Sequence, residues 1–153
     1  MNRQMLRSLV GPLLAGGVLL ATAAIATGAG NSITLDLKGG RSEERTACSA
    51  LHHYTVYHRG GVLRMDGYVN PAPALPNGAW RVKIKIKECK RGRFVTIWQR
   101  HAPGTDVLLN GVREGYFSLS YRMRRRGYFF ARAYYYGYHP SLISRDEHFY
   151  VTR

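Results

Sequence analysis

The chain has 153 residues, of which 23 are Lys or Arg and 9 are Asp or Glu, and its formal net charge is +14 at pH 7. This length corresponds to one domain with extensions, and it is sufficient to bury a hydrophobic core. The sequence contains no G-x-S-x-G element, Walker loop or paired-carboxylate motif, so it gives no support to the hydrolase classes that depend on them.

Residues 1–26 have the pattern of an export signal. Arg3 and Arg7 precede an apolar segment from Leu9 to Leu20, and Ala24-Ile25-Ala26 matches a small-residue cleavage site. An uncleaved N-terminal membrane anchor is the alternative, because the uncharged run is long enough to span a bilayer. Both interpretations predict that the rest of the chain is secreted or attached to the cell surface.

Removal of residues 1–26 leaves 21 basic and 9 acidic residues, a net charge of +12. Such an excess favours nonspecific attraction to polyanions, among them nucleic acid, wall polymers with phosphate groups and anionic membrane surfaces. The charge alone does not distinguish between these partners.

Residues 27–47 are mostly small, polar or charged, and they predict a flexible lead-in with Ile33–Leu37 as a short strand. The folded domain is predicted to cover residues 48–153. Cys48 and Cys89 are the only two cysteines, and an exported chain meets oxidising conditions. We therefore predict that they form a disulfide.

Two strand-like segments open the domain, Leu51–His58 and Val62–Val69. They are predicted to form a hairpin around the turn at residues 59–61. The next segment, Asn70–Gly78, contains three prolines, which cannot donate hydrogen bonds to a ladder. It is predicted to connect two sheets or to pass around a sheet edge.

The central feature is a hairpin from Trp80 to Arg100. Apolar and cationic residues alternate along its first strand, and the two-residue period of a strand sends the two sets to opposite faces. The apolar set is Trp80, Val82, Ile84 and Ile86, and the cationic set is Arg81, Lys83, Lys85 and Lys87. A turn at Lys90–Arg93 and a returning strand from Phe94 complete the hairpin.

The rest of the chain is predicted to contain a long loop at residues 101–115, a third hairpin around Arg124–Gly127, a polar loop and a last strand at Glu147–Thr152. A short strand at Val107–Leu109 inside the long loop is the alternative to an entirely irregular segment. The strands of the third hairpin are Phe117–Tyr121 and residues 128–136. The apolar face of the central hairpin is predicted to pack against Phe117, Leu119, Phe129, Ala131 and Phe149.

About seven short strands with turn signals between them predict a sandwich or a small barrel. The segments VKIKIKECKRGRFVTIWQR, GYFSLSY, GYFFARAYY and HFYV resemble the immunoglobulin-like β-sandwich domains of exported proteins from Gram-positive, high-GC bacteria, over about residues 48–153. The cysteines depart from the usual B and F strand positions, and Phe129 replaces the corner tyrosine. The resemblance implies an all-β, two-sheet antiparallel sandwich with a non-enzymatic binding or surface role.

The cationic row is the first candidate site. Side chains on one face of a strand repeat at about 6.6 Å, so the row can follow an extended polyanion. The predicted polyanion-binding residues are Arg81, Lys83, Lys85, Lys87, Arg91 and Arg93. The alternative is a solvated strand face that prevents aggregation. Strict alternation places Glu88 on the core face and Cys89 on the lysine face, which predicts either a bulge near Glu88 or a disulfide outside the core.

The second candidate site combines arginines with aromatic rings, a combination that suits stacking on bases or sugars together with phosphate or carboxylate binding. Its residues are Arg122, Arg124, Arg125, Arg126, Tyr128, Tyr134 and Tyr136. The alternative is that the tyrosines pack in cross-strand pairs and that the arginines form a turn.

The sequence predicts a non-catalytic binding or structural module without metal or cofactor, whose partner is an anionic envelope polymer or another surface protein. Histidine spacing gives no metal-binding signal. A small basic secreted ribonuclease is the alternative, since His53, His148, Glu147 and the arginines at 124–126 supply an acid, a base and phosphate ligands. Histidine stands where guanyl-specific ribonucleases carry their glutamate base.

Overall fold

The computed structural model describes residues 30–48, 50–75 and 78–153, and these residues form eleven strands. The predicted signal peptide, residues 1–26, lies outside the described residues. The strands are β1 (Ser32–Ile33), β2 (Asp36–Lys38), β3 (Arg41–Ala47), β4 (Ala50–His58), β5 (Val62–Asn70), β6 (Arg81–Lys90), β7 (Arg93–Leu109), β8 (Val112–Arg122), β9 (Gly127–Tyr135), β10 (Leu142–Ile143) and β11 (Glu147–Thr152).

The strands form two sheets that share β7. Sheet A contains β1, β2, β5, β8 and the second part of β7, whereas sheet B contains the first part of β7 with β6, β9, β10, β11, β4 and β3. β7 pairs with β6 over residues 93–103 and with β8 over residues 104–109, so it changes sheet at Pro103-Gly104. Within the described ranges, β4 and β11 form the one parallel pair. The all-β prediction is confirmed. The described strands outnumber the seven predicted, and the parallel β4–β11 pair departs from the predicted antiparallel arrangement.

One hydrophobic core lies between the inner faces of the two sheets. Burial of Val82, Ile84 and Ile86 follows from the alternation along β6, since every second side chain of a strand points inward. The predicted partners Phe117, Phe129, Ala131 and Phe149 are buried in the same core, and Leu119 packs against it half-buried. The core prediction is therefore confirmed.

Trp80 is fixed at the point where β7 joins sheet A. Its ring is buried, and its indole N–H donates to Asp106 Oδ1 at 3.2 Å. Gly104 and Gly115 lie against the ring so closely that a Cβ at either position would overlap it. These two glycines therefore make room for the largest side chain of the core.

The two outer hairpins predicted from the sequence are not formed. β4 pairs with β3 and β11 in sheet B, whereas β5 pairs with β1, β2 and β8 in sheet A. β8 and β9 are likewise divided between sheet A and sheet B. The glycine-containing segments 59–61 and 123–126 thus connect the two sheets, because each flanking strand finds its partners elsewhere in the chain.

Two predicted loops are also strands. Residues 32–33, 36–38 and 41–47 of the predicted lead-in form β1, β2 and β3, and Ile33 and Leu35 are buried in the core. Most of the predicted loop at 101–115 belongs to β7 and β8, which are joined by a turn at Asn110-Gly111. Both residues of this turn have positive φ, 51° and 78°, as the tight hairpin turn requires.

Cys48 and Cys89 form the predicted disulfide, with Cα atoms 5.8 Å apart. Glu88 pairs with Phe129 of the core, so Cys89 points to the opposite, outer face of sheet B. Opposite β6, β7 carries a bulge at Ile97. The disulfide therefore lies outside the core, and it holds the tip of the β3–β4 hairpin against the outer face.

Candidate functional site

Arginine-bearing connections meet at one end of the sandwich. The β4–β5 connection contacts the β8–β9 connection through two backbone hydrogen bonds, from the Gly60 N–H to the Met123 carbonyl at 2.7 Å and from the Met123 N–H to the Gly61 carbonyl at 3.0 Å. The Arg59 guanidinium adds a third, from Nε to the Arg124 carbonyl at 3.1 Å. Two segments that are distant in sequence are thus held together.

Glu88 joins the β6–β7 turn to the same end. Its Oε2 lies 3.2 Å from Lys90 Nζ and 3.4 Å from Arg125 Nη1, and its side chain is only 13% exposed. One carboxylate thus contacts cations from both turns. We call this surface the basic end; its side chains are Arg59, Lys90, Arg91, Arg93, Arg122, Arg124, Arg125 and Arg126, and all of them are exposed.

The basic end combines residues that the sequence assigned to two separate sites. Arg91 and Arg93 were predicted to continue the lysine row, and Arg122 and the arginines at 124–126 were predicted to mix with tyrosines. Arg59 and Lys90 were assigned to turns but to neither site, although a basic residue in a strand-end turn is exposed. The grouping depends on which strands pair, and this is not a local property of the sequence.

Lysines 83, 85 and 87 lie on the outer face of sheet B, as predicted, but they are half-buried. Lys85 Nζ lies 4.8 Å from the centre of the Tyr134 ring, and Lys87 Nζ lies 5.4 Å from that of Phe130. The disulfide at Cys89 follows on the same face. The disulfide therefore separates the lysine row from Arg91. The ammonium groups of Lys85 and Lys87 already contact aromatic rings of the same chain.

Most of the predicted aromatic surface is packed. Tyr134 is 9% exposed, and Tyr128 stacks on Tyr150 with ring centroids 4.5 Å apart. Tyr136 is 54% exposed and lies parallel to Tyr134. Tyr134 and Tyr136 lie at or just beyond the far end of β9, so the structure does not bring these two tyrosines together with the arginines at 122–126.

A second, smaller cluster occupies the outer face beneath the disulfide-linked hairpin tip. It consists of His52, Tyr54, Phe94, Phe130 and His148, and we call it the outer cluster. Tyr54 is fully buried in it, and burial raises the pKa of the Tyr54 hydroxyl. The outer face of sheet B is thus partly covered by the chain itself.

The residues of the ribonuclease hypothesis lie apart. His53 is exposed, with its Nε2 3.3 Å from Glu44 Oε1, on the face of β4 opposite to the outer cluster that contains His148. Glu147 lines a cavity with Ile33, and burial raises the pKa of its carboxyl. The arginines at 124–126 belong to the basic end. These groups do not converge on one site.

Between β7 and β8, beside the basic end, lies a groove with a volume of about 360 Å³. The rings of Trp98 and Tyr121 are in contact there, with centroids 5.1 Å apart and planes inclined by 57°. Burial raises the pKa of Tyr121, so its hydroxyl keeps its proton at neutral pH. We call this feature the arginine groove; its lining is Ile97, Trp98, Arg100, Ser120, Tyr121, Arg122 and Arg124.

Comparison with solved structures shows a similarity to the CARDB domain of a Pyrococcus furiosus protein, whose crystal structure was solved in complex with di-metal ions. The two chains are 11% identical, the TM-score is 0.37, and the match covers 80% of this chain and 89% of that one. No protein-family model matches the chain. A search of curated proteins also finds no match.

The described part of the chain shows no group of three or more His, Cys, Asp or Glu side chains that could hold a metal ion. In the same residues, no helix is long and apolar enough to cross a membrane.

Proposed function

We propose that the protein is a non-catalytic binding module for an anionic polymer and that the basic end is its contact surface. The observation that carries this proposal is the meeting of the 59–61, 90–93 and 122–126 segments, which brings eight exposed cations to one end of the sandwich, where the Glu88 carboxylate contacts two of them. Neighbouring like charges raise the local potential and attract an extended polyanion. Each phosphate or sulfate neutralised by a guanidinium releases condensed counterions, which favours binding.

The basic end fits this role better than the lysine row. Arginine presents a planar fork of donors to an oxyanion, and the arginines at 91, 93 and 126 are exposed. By contrast, Lys85 and Lys87 lie over aromatic rings, so a bound anion would compete with these contacts. The lysine row is therefore a secondary contact in the proposal.

Two variants that remove the same charge separate the surfaces. One replaces Arg91, Arg93 and Arg126 with Gln, and the other replaces Lys83, Lys85 and Lys87 with Gln. The probe is inorganic polyphosphate, and its Kd is measured by titration between about 50 and 200 mM salt. We expect the arginine variant to lose at least tenfold in affinity and to show a smaller dependence on salt. A larger loss in the lysine variant, or binding that does not depend on salt, would reject the basic end as the contact.

The proposed location is outside the cytoplasm, either secreted or attached to the cell surface. The basis is the signal-like pattern of residues 1–26. N-terminal sequencing of the protein recovered from cultured cells tests this proposal, and we expect Thr27 as the first residue in the medium. Recovery of the intact chain in the membrane fraction would instead indicate the anchor, and recovery from the cytoplasm would contradict both.

A further inference from the structure

We propose that the arginine groove recognises a sugar ring that carries an anionic group, so that the polymer bound by the protein is an acidic glycan. This inference rests on the proposed function, because the groove shares Arg122 and Arg124 with the basic end. The inference adds a requirement on the ligand: besides its negative charge, the ligand must carry a sugar ring next to the anionic group.

The groove exists because β7 changes sheet. Up to Pro103, β7 follows β6 in sheet B, and only beyond that point does it pair with β8. The last residues of β8 pair with β5 alone among the described strands. The two sheets are thus open along this side, where Trp98 from sheet B meets Tyr121 from sheet A.

The lining has the chemistry of a site for an oxygen-rich anion. Arg100, Arg122 and Arg124 are exposed at the groove, and none of its lining residues is acidic. Guanidinium groups bind carboxylate or phosphate through paired hydrogen bonds. Ser120 adds a hydroxyl that can donate to or accept from a sugar hydroxyl. The volume of about 360 Å³ is within the range of small-molecule sites.

The aromatic rings favour a sugar over a nucleobase. Trp98 and Tyr121 are half-buried, and their planes are inclined by 57°. A flat base stacks best on a parallel, exposed ring face. Two inclined rings instead form a shallow trough, which matches the puckered, apolar C–H face of a sugar while its oxygens point to the arginines.

The test compares ligands of similar charge that differ in their rings. Oligogalacturonate supplies a sugar ring with a carboxylate, phosphomannan a sugar ring with a phosphate, inorganic polyphosphate no ring, and poly(dT) a base. We expect at least one of the two glycans to bind at least tenfold more tightly than polyphosphate at equal charge and salt. Binding of that glycan should also change the tryptophan fluorescence. The change can be assigned to Trp98, because the other tryptophan, Trp80, is only 3% exposed and lies in the core.

Two variants locate the effect. Trp98→Phe should remove the fluorescence change and the preference for the glycan while polyphosphate binding persists. Ser120→Trp adds a bulky ring at the rim of the groove from an exposed position, and it should have the same effect on preference. Ser42→Trp, on exposed β3, is the matched control and should leave the preference intact.

The outcomes separate this inference from the proposed function. Equal binding of glycans and polyphosphate, both abolished by the arginine variant, would reject the ring requirement and leave the polyanion proposal standing. Binding of none of the four ligands would reject both. Tightest binding of poly(dT), with loss in Trp98→Phe, would show that the groove takes a nucleobase and would overturn the inference.

Discussion

The imidazole ring of His148 lies flat against that of His52, with centroids 3.8 Å apart and planes inclined by only 15°. His148 is half-buried in the outer cluster, and its Nδ1 is buried without a hydrogen-bond partner among the described residues. Burial, with a smaller contribution from His52, lowers the pKa of His148 to about 4. The folded protein therefore holds this imidazole neutral over a range where an exposed histidine would be charged.

We predict that stability falls as the pH is lowered from about 6.5 to 4. The unfolded chain protonates His148 near pH 6.5, whereas the folded chain does so near its lowered pKa, so acid favours the unfolded state by about 1–3 kcal/mol. Asp146 opposes the shift and Arg132 adds to it. Urea unfolding at pH 7 and pH 4.5 measures the effect. His148→Gln should reduce the difference between the free energies of unfolding at pH 7 and at pH 4.5. If that difference is unchanged, other titrating groups cause the loss of stability in acid.

A second prediction concerns the disulfide. Cys48 and Cys89 are 41 residues apart, and on the loop-entropy model a bridge of this span stabilises the fold by about 4 kcal/mol. The double variant with Ala at both positions should lose a comparable free energy of unfolding. Hydrogen exchange should also rise in His52, Tyr54 and Phe130, because the hairpin tip is no longer tied over the outer cluster. If the amides of these residues remain as protected from hydrogen exchange as in the parent protein, packing alone holds the tip of the β3–β4 hairpin in place.

The sequence predicts the local part of this fold well. Alternation at 80–87 identifies the buried side of β6, and the boundaries of β11 agree with the prediction, because the two-residue period depends only on adjacent residues. Pairing was predicted less well. The segments after His58 and Arg122 have the composition of hairpin turns, yet they connect two sheets. β4 pairs with β3 and β11 rather than with β5, and β9 pairs with β6, β10 and β11 rather than with β8.

The same distinction applies to the candidate sites. The sequence identified most of the basic residues, but strand pairing decides that Lys90 and Arg125 meet at Glu88 while Tyr134 lies elsewhere. The arginine groove was not predicted, because Trp98 and Tyr121 come from strands that were assigned to separate hairpins. Burial of Tyr54 and Phe130 on the outer face was also missed; the disulfide was predicted, but not the hairpin tip that it holds over them.

A third prediction concerns the packing around Trp80. Gly104→Ala places a methyl group inside the volume of the buried indole ring, so the ring or β7 must move. We expect a loss of about 1–3 kcal/mol in the free energy of unfolding, typical of an overpacked core. Gly30→Ala is the control, since nothing lies within 4 Å of its added Cβ, and it should be neutral. Equal stability of the two variants would show that the Trp80 ring or β7 can shift to accommodate the added methyl group without loss of stability.

The last prediction concerns Glu88, the carboxylate between the two basic turns. Glu88→Gln removes a negative charge that lies 3.2 Å from Lys90 and 3.4 Å from Arg125, so both cations become available to a bound anion. We expect polyphosphate to bind about two- to fivefold more tightly at low salt, with a smaller gain near 1 M, where charges are screened beyond about 3 Å. Loss of these partly exposed ion pairs should cost only about 0–1 kcal/mol of stability.

Glu114→Gln is the matched control for this effect. It makes the same change of net charge on β8, eight residues before Arg122, a distance of about 26 Å along an extended strand. Since the Debye length is about 10 Å at 0.1 M salt, this variant should leave the affinity for polyphosphate nearly unchanged at that ionic strength. If Glu114→Gln and Glu88→Gln strengthen binding equally there, net charge rather than the basic end controls the interaction. If neither does, the basic end is not where polyphosphate binds.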